Sequence, residues 1–166
     1  LCAGSTINLN SNATGSGSLT YTWLSDNTGI ATVTNAGVVT GITGGTANIT
    51  YTVSDGNNCS AVSPAFAVTV NDRPTANITS ISTTICNGTA VNIEGNVTAT
   101  GAWFLTLSNG ATANGTGNGT FSISVSPSST TIYTIASLTD ANCASIAADL
   151  TGSNTITVND PVSITT

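Results

Sequence analysis

The four cysteines are the residues best suited to do chemistry in this chain of 166 residues. The step from Cys2 to Cys59 equals the step from Cys86 to Cys143, at 57 residues, so the two pairs are expected to share one role. Neither pair has the Cys-x-x-Cys spacing of a zinc site, and the chain has no histidine to complete one. Of the three possible connectivities, one bridge per repeat, Cys2 with Cys59 and Cys86 with Cys143, is the simplest. Because disulfides persist in oxidising compartments, the cysteines predict an exported, extracellular protein.

Acid–base catalysis has few candidates in this sequence. The chain contains neither histidine nor lysine, and general acid–base catalysis needs one of these or a carboxyl group with a shifted pKa. The seven carboxylates stand mostly beside Asn or Gly in predicted turns: Asp26, Asp55, Asp72, Glu94, Asp140, Asp149 and Asp160. No serine or threonine has a base to activate it. We therefore expect no enzyme activity and no cofactor.

Two pairs of carboxylates occupy matched positions. Asp55 and Asp140 precede Cys59 and Cys143, and Asp72 and Asp160 each end a Thr-Val-Asn-Asp sequence. A repeated architectural role explains both pairs. A calcium site at Asp72 and Asp160 is an alternative, since Ca²⁺ accepts carboxylate and carbonyl oxygens, but no Asp-x-Asp-x-Asp-Gly loop supports it. We expect no metal.

The sequence also contains Asn-x-Ser/Thr sequons, which are acceptors for N-glycosylation. They stand at Asn12, Asn48, Asn58, Asn77, Asn87, Asn96, Asn114 and Asn118. In a chain rich in Asn and Thr many sequons arise by chance, so the sequence leaves glycosylation open.

The composition determines the expected fold class. Thr, Ser, Asn, Gly, Ala and Val fill most of the chain, whereas the residues that make exposed helix surfaces are scarce. The chain is therefore expected to be all-β. With one basic residue, Arg73, and a net charge of −6, it offers nothing to nucleic acid or to an anionic membrane surface. No apolar run approaches the roughly 20 residues of a membrane span, and no signal peptide precedes Leu1, so we expect a mature or excised segment.

Further landmarks repeat together with the cysteines. Trp23 and Trp103 follow the first and third cysteines, and Tyr51 and Tyr133 precede the second and fourth. We expect these four aromatic residues in the cores of two similar domains.

The repeat also predicts the domain boundaries. Val68-Thr-Val-Asn-Asp72 and Ile156-Thr-Val-Asn-Asp160 end the two repeats, and Pro74 and Pro161 follow them. Since proline interrupts a strand ladder, the boundary falls near residues 71–74 and predicts domains at 1–72 and 73–160.

Short alternating runs between turn residues predict the strands. In the first repeat they are 5–10, 19–24, 30–34, 37–42, 45–53 and 65–70. In the second they are a lead-in strand at 76–81 and then 90–97, 101–107, 119–125, 131–137 and 154–158.

Four motifs follow one another between Thr22 and Thr50. They are Trp23-Leu-Ser-Asp-Asn27, Ala31-Thr-Val33, Gly37-Val-Val-Thr-Gly41 and Gly45-Thr-Ala-Asn-Ile-Thr50. In this order they resemble the bacterial Ig-like domains of group 2. The resemblance implies a β-sandwich of the kind repeated in adhesins, invasins and surface-layer proteins, with no active site.

The second repeat lacks those motifs. It is loosely similar to the disulfide-bearing Ig-like and PKD-like repeats, ending in Thr-Val-Asn-Asp, of giant surface adhesins of gliding bacteria. The Cys, Trp, Cys order is also similar to that of immunoglobulin domains, in which the Trp packs on a disulfide between the sheets. No tyrosine stands two residues before Cys59 or Cys143, where a tyrosine corner would place it. The resemblances together imply two tandem immunoglobulin-like β-sandwiches, each with one disulfide.

The expected function is a structural segment of an extracellular, cell-surface filament or adhesin fibre. Its expected partners are identical subunits or neighbouring modules in a line. The alternative is an adhesin module that binds a surface glycan, although two Trp, three Tyr and three Phe leave little for sugar-stacking platforms.

The end of the sequence suggests how copies join. The residues Val162, Ser163, Ile164 and Thr165 match the lead-in strand Ala76-Asn-Ile-Thr79, whereas only Leu1 precedes Cys2. We expect residues 161–166 to form a strand that completes the first repeat of the next copy, with Val162 and Ile164 pointing inward. The alternative is a longer continuous array in which the next module follows in the same chain.

Overall fold

The computed structural model describes residues 1–160 and 162, and it confirms the all-β prediction. The helical structure in this part of the chain is one 3-10 turn, Ala147–Asp149. None of the described residues forms a helix long and apolar enough to cross a membrane. The chain divides into two compact units, Leu1–Asp72 and Arg73–Thr166, which we call module one and module two.

Module one has seven strands in two sheets. They are β1 (Thr6–Asn8), β2 (Thr20–Ser25), β3 (Ala31–Val33), β4 (Val38–Gly41), β5 (Gly45–Ser54), β6 (Ser60–Val62) and β7 (Phe66–Val70). One sheet has the order β1-β4-β3, and in the other β5 pairs with β2, β6 and β7. Gly37, at φ +77°, closes the turn between β3 and β4, a conformation that favours glycine.

The two sheets of module one enclose a small core. Its fully enclosed residues are Ala31, Val39, Ala47, Ile49, Val68 and Val70. Four of them, Ala47 and Ile49 of β5 and Val68 and Val70 of β7, lie on alternate positions of their strands, as expected for strands with one buried face. Within the long strand β5 only Ala47 and Ile49, in its first half, are buried, whereas the second half from Thr50 is half-buried throughout.

The described residues of module two form ten strands. They are β8 (Thr75–Ile78), β9 (Thr83–Cys86), β10 (Val91–Thr98), β11 (Ala102–Leu107), β12 (Thr112–Thr116), β13 (Gly119–Val125), β14 (Thr131–Tyr133), β15 (Ile135–Thr139), β16 (Leu150–Thr151) and β17 (Asn154–Asn159). The sheet orders are β13-β10-β8-β16, β12-β11-β15 and β14-β17-β9. The core is larger than that of module one and includes Ala76 and Ile78 of β8 together with Leu105, Leu107 and Leu138.

The chain enters and leaves module two at opposite ends. Thr75, at the start of β8, lies opposite Thr98, whereas Asn159, at the end of β17, lies opposite Cys86. We call the end at Thr75 proximal and the end at Asn159 distal. Module one has a matching distal end at Asn71, and the turn between β5 and β6 marks its proximal end.

Candidate functional site

The cysteines of module one lie at its two ends. Cys2 bridges Asn71 at the distal end, next to the start of β5, whereas Cys59 lies in the turn after the last residue of β5, at the proximal end. The ten residues of β5 separate them by roughly 30 Å, at about 3.3 Å per residue. A disulfide needs Cα atoms within about 7 Å. The predicted bridge between Cys2 and Cys59 is therefore wrong.

The cysteines of module two are separated in the same way. Cys86 pairs with Asn159 at the distal end. Cys143 follows β15 at the proximal end, where Asp140 and Thr100 meet. The strands β14 and β15 run the length between these two ends. The predicted bridge between Cys86 and Cys143 is wrong for the same reason.

The oxidation states of the four cysteines follow a different pattern from the predicted one. Cys2 and Cys143 are disulfide-bonded. Cys59 and Cys86 are free thiols, and both are exposed. The equal spacing of 57 residues thus reflects equal positions in two repeats rather than bonded partners.

Matched turns hold the two proximal cysteines. In module one, Oδ1 of Asp55 accepts hydrogen bonds from the amides of Asn57, at 2.9 Å, and Cys59, at 3.0 Å. In module two, Oδ1 of Asp140 accepts them from the amides of Asn142, at 2.9 Å, and Cys143, at 2.7 Å. Asp55 and Asp140 thus stabilise equivalent turns in the two modules.

Two further carboxylates, Asp72 and Asp149, also support the fold. Asp72 accepts a hydrogen bond from the amide of Gly44 at 2.6 Å, and Asp160 is exposed. Arg73 binds Asp149 through Nε at 2.8 Å. Within residues 1–160 and 162, no group of three or more Cys, Asp or Glu side chains forms a metal cluster. The calcium alternative for Asp72 and Asp160 thus has no cluster to support it.

The inner face of module one is open toward its proximal end. Trp23 pairs with Tyr51 across β2 and β5, and Phe66 lies opposite Ile49, so these rings share the face that carries the core. Yet Trp23 and Tyr51 are only half-buried, and Phe66 is 53 % exposed. Tyr21 contacts Tyr51 edge-on, with ring centroids 5.8 Å apart, and Trp23 lies 4.8 Å from Tyr51.

A cleft of about 240 Å³ occupies this open face. It is lined mainly by apolar side chains: Leu9, which follows β1, together with Trp23, Ile49, Tyr51, Pro64 and Phe66. A second cleft lies beside it and leads past Tyr51, Val53 and Ala61 toward the proximal end. Exposed apolar surface of this kind, contiguous and concave, is characteristic of an interaction site.

In module two the corresponding face is covered. The strand β8 pairs with β10, packs against β15, and places Ala76 and Ile78 in the core at 4 % and 5 % exposure. Trp103 and Tyr133 are buried, at 5 % and 2 % exposure, and burial raises the pKa of Tyr133. The aromatic residues predicted as cores thus have different environments, because only module two has a strand over them.

A sequence match between the two modules identifies the residues of module one that correspond to the partner of β8 in module two. Asn8-Leu-Asn-Ser-Asn-Ala-Thr14 of module one corresponds to Asn92-Ile-Glu-Gly-Asn-Val-Thr98 of module two. The second half of that stretch pairs with β8 in module two, whereas in module one the strand β1 ends at Asn8. Among the described residues β1 pairs with β4 alone, at the edge of its sheet. Sequence reasoning predicted that module one lacks a lead-in strand, and the match between these two stretches identifies residues 11–14 as the counterparts of the part of β10 that pairs with β8.

The other predicted sites are placed as follows. All eight sequon asparagines have exposed side chains. Residues 161–166, the strand predicted to complete the next copy, are called the joining strand. Within it Val162 is 96 % exposed, and the other residues lie outside the described part of the chain.

Comparison with known proteins identifies one domain family. Residues 4–63 match the model of the bacterial Ig-like domain (group 2), which confirms the resemblance of the Trp23 to Thr50 motifs. No curated protein matches the chain.

Solved structures also resemble the chain at low sequence identity. Domains 4 and 5 of the S-layer protein SbsC are 20 % identical over 83 % of this chain and 70 % of that one, with a TM-score of 0.28. Domains 1–6 of the same protein are 19 % identical over 87 % of this chain, which spans 20 % of that structure, with a TM-score of 0.31. The D00-D0 domain of intimin is 14 % identical over 93 % of this chain and 94 % of that one, with a TM-score of 0.40.

Proposed function

Because residues 4–63 match the bacterial Ig-like domain of group 2, we propose that this chain is a structural segment of an extracellular surface fibre or adhesin. In this proposal copies join head to tail, and residues 161–166 of one copy complete module one of the next. The protein performs no catalysis; its task is to build and extend a line of sandwiches outside the cell.

The open inner face of module one is the observation that carries the proposal. A half-exposed Trp23 and a Phe66 that is 53 % exposed lie on the face that module two covers with β8. Residues 11–14, the counterparts of the part of β10 that pairs with β8, form no strand in module one, and Asn12, Ala13 and Thr14 line the second cleft on that face. An open edge next to apolar surface favours the addition of a strand.

Residues 161–166 are assigned to the open face of module one because their sequence resembles that of β8. Val162-Ser-Ile-Thr165 repeats the apolar and polar order of Ala76-Asn-Ile-Thr79. Placed like β8, such a strand directs Val162 and Ile164 into the cleft beside Trp23 and directs Ser163 to solvent, since side chains alternate along a strand. Burial of the two apolar side chains contributes roughly 3 kcal/mol or more.

The resulting contact is heterologous, because one copy donates the strand and the other accepts it. Contacts of this type continue from copy to copy and build an open filament unless a rotation closes them into a ring. A disulfide-bonded, all-β protein with this geometry suits the outside of the cell.

Two matched variants test the joining strand. Ile164→Asp places a charge where the cleft is apolar, and Ser163→Asp places the same charge on the solvent side. We expect wild type and Ser163→Asp to form filaments in electron micrographs and by light scattering, and Ile164→Asp and a chain lacking residues 161–166 to stay monomeric. Equal assembly of all four chains, or a wild-type chain that stays monomeric, overturns the proposal.

A separate measurement distinguishes a filament of separate copies from a continuous array of modules in one chain. Denaturing mass spectrometry of the native fibre, after reduction, gives a mass near 16.3 kDa if separate copies assemble. A far larger mass shows that the next module follows in the same chain. In that case the joining strand acts within one chain, and strand exchange between copies is refuted.

A second candidate function is glycan binding. The contiguous rings of Tyr21, Trp23 and Tyr51 are half-exposed, and such rings can stack on sugars. Binding of the isolated chain to a glycan array that is lost in Trp23→Ala, with no binding of a peptide of residues 161–166, favours a sugar in the cleft over a strand.

A further inference from the structure

The two free thiols occupy the two kinds of position that the bonded cysteines occupy. Cys86 lies at the distal end of module two as Cys2 does in module one: each pairs in parallel with an asparagine, Asn159 or Asn71. The turns that follow also match, since the amides of Ser5 and Thr89 donate to the carbonyls of Cys2 and Cys86, both at 3.0 Å.

Cys59 lies at the proximal end of module one as Cys143 does in module two. Besides the matched Asp turns, the amide of Asp55 donates to the carbonyl of Cys59 at 3.0 Å, and that of Asp140 donates to the carbonyl of Cys143 at 2.8 Å. Each repeat therefore has one distal and one proximal cysteine. One distal cysteine, Cys2, and one proximal cysteine, Cys143, are disulfide-bonded.

We propose that Cys86 of one copy forms a disulfide with Cys59 of the next copy, so that the head-to-tail fibre is covalently closed at every junction. The bonded state of their repeat equivalents shows that both positions are compatible with a disulfide. Both thiols are exposed, as bonding to another copy requires. This inference rests on the proposed head-to-tail order.

The joining strand brings these two ends together. Cys86 lies opposite Asn159, and three residues later, within about 10 Å along the chain, the joining strand begins at Val162. Placed like β8, that strand enters module one of the next copy at its proximal end. Cys59 lines a cleft there together with Thr14 and Leu19. The two thiols therefore flank one junction.

The oxidation proceeds by thiol–disulfide exchange with a small-molecule disulfide. The thiolate of Cys59 attacks one sulfur of that disulfide and releases one small thiol, which leaves a mixed disulfide on Cys59. The thiolate of Cys86 then attacks the Cys59 sulfur and releases the second small thiol. Two protein thiols are oxidised, one small disulfide is reduced to two thiols, and the two protons end on these products.

Two single variants isolate the proposed bond. Cys59→Ser keeps the thiol of Cys86, and Cys86→Ser keeps the thiol of Cys59. In a buffer of oxidised and reduced glutathione, we expect wild type to give a ladder on a denaturing, non-reducing gel, and each variant alone to remain a monomer. The two variants mixed should give one covalent dimer, which dithiothreitol dissolves and whose peptide map contains a Cys59–Cys86 link.

The possible failures are distinguishable. Symmetric dimers of either variant alone, or filaments that dissolve to monomers with two free thiols, overturn the disulfide and leave strand joining intact. A mixed Cys59–Cys86 dimer that forms equally well without residues 161–166 keeps the disulfide and overturns the proposed joining strand. A Cys59–Cys86 link confined to wild-type monomers, with no dimer in the mixture, overturns the inference.

Discussion

Oδ1 of Asp140 lies 2.7 Å from the amide nitrogen of Cys143, and its Oδ2 lies 2.8 Å from the amide nitrogen of Thr100. One carboxylate thus ties the turn that carries a bonded cysteine to the loop between β10 and β11. Burial alone would raise the pKa of Asp140, but hydrogen bonds from the amides of Thr100, Cys143 and Asn142 outweigh it and lower the pKa below 3.8.

The first prediction concerns this carboxylate. Asp140→Ala should destabilise module two by about 1 to 3 kcal/mol at neutral pH, because it removes charge-assisted hydrogen bonds to three amides. A lowered folded-state pKa stabilises the folded protein above the unfolded pKa, and this contribution is lost as pH falls through the folded value. In urea titrations the difference between wild type and variant should therefore be constant above about pH 5 and shrink below about pH 4.

Asp55→Ala is the matched control for the first prediction. Asp55 holds the equivalent turn but accepts from two amides through Oδ1, so its loss should cost less than that of Asp140. An Asp140→Ala chain that is as stable as wild type at pH 7, or whose deficit grows on acidification, contradicts the assignment.

The second prediction separates the two tryptophans. Trp103 is 5 % exposed and Trp23 is half-buried, so iodide should quench Trp23 and leave Trp103 largely unaffected. Single-tryptophan chains made by Trp→Phe substitution give the two curves. Trp103→Ala should cost about 3 to 5 kcal/mol and Trp23→Ala less, because a half-exposed side chain gives up less buried surface. Equal quenching of both residues would refute the open face of module one.

The third prediction uses a close contact in module two. A Cβ at Gly115 would clash with the indole of Trp103, whereas one at Gly119 would meet nothing within 4 Å. Gly115→Ala should lower the free energy of unfolding by about 1 to 3 kcal/mol through overpacking, and Gly119→Ala should be close to neutral. Thermal unfolding of the two variants provides the measurement; similar midpoints would show that Trp103 can move aside.

The fourth prediction concerns the pair of Arg73 and Asp149. The two side chains are 24 % and 13 % exposed, and the Arg73 hydrogen bond is the main cause of the lowered pKa of Asp149. A double-mutant cycle with Arg73→Ala and Asp149→Ala should give a coupling of about 1 kcal/mol, which is reduced in about 1 M salt and lost as pH falls below the folded-state pKa. A coupling that salt leaves unchanged would point to packing instead of charge.

Sequence reasoning identified the elements whose signal is local. The predicted strand at 45–53 and the hairpin at Gly37 follow from β-branched residues bounded by glycine, and both are present, as β5 and as the pairing of β3 with β4. It missed β6, β9, β12 and β16, which are short and have weakly apolar sequences such as Ser60-Ala-Val62. Their pairing partners, rather than their own residues, determine them.

The pairing of the cysteines could not be predicted from their spacing. Equal spacing correctly identified Cys2 and Cys86, and Cys59 and Cys143, as equivalent positions. It could not show that each 57-residue step spans the length of a module, because that distance depends on the direction of β5 and of β14 with β15. In the same way, the motif around Trp23 predicted a core residue, whereas Trp23 is half-buried because module one has no counterpart of β8 among its strands.

The parallel pairing of β9 with β17 has a mechanical consequence. Thr83–Cys86 and Ile156–Asn159 run side by side in the same direction, while the chain enters module two at one end and leaves at the other. A pull on Arg73 and Asp160 therefore drags these two strands past each other along their length, and their hydrogen bonds bear the load together in shear. The bonds cannot open one by one like a zipper, so module two is built to hold tension along the chain.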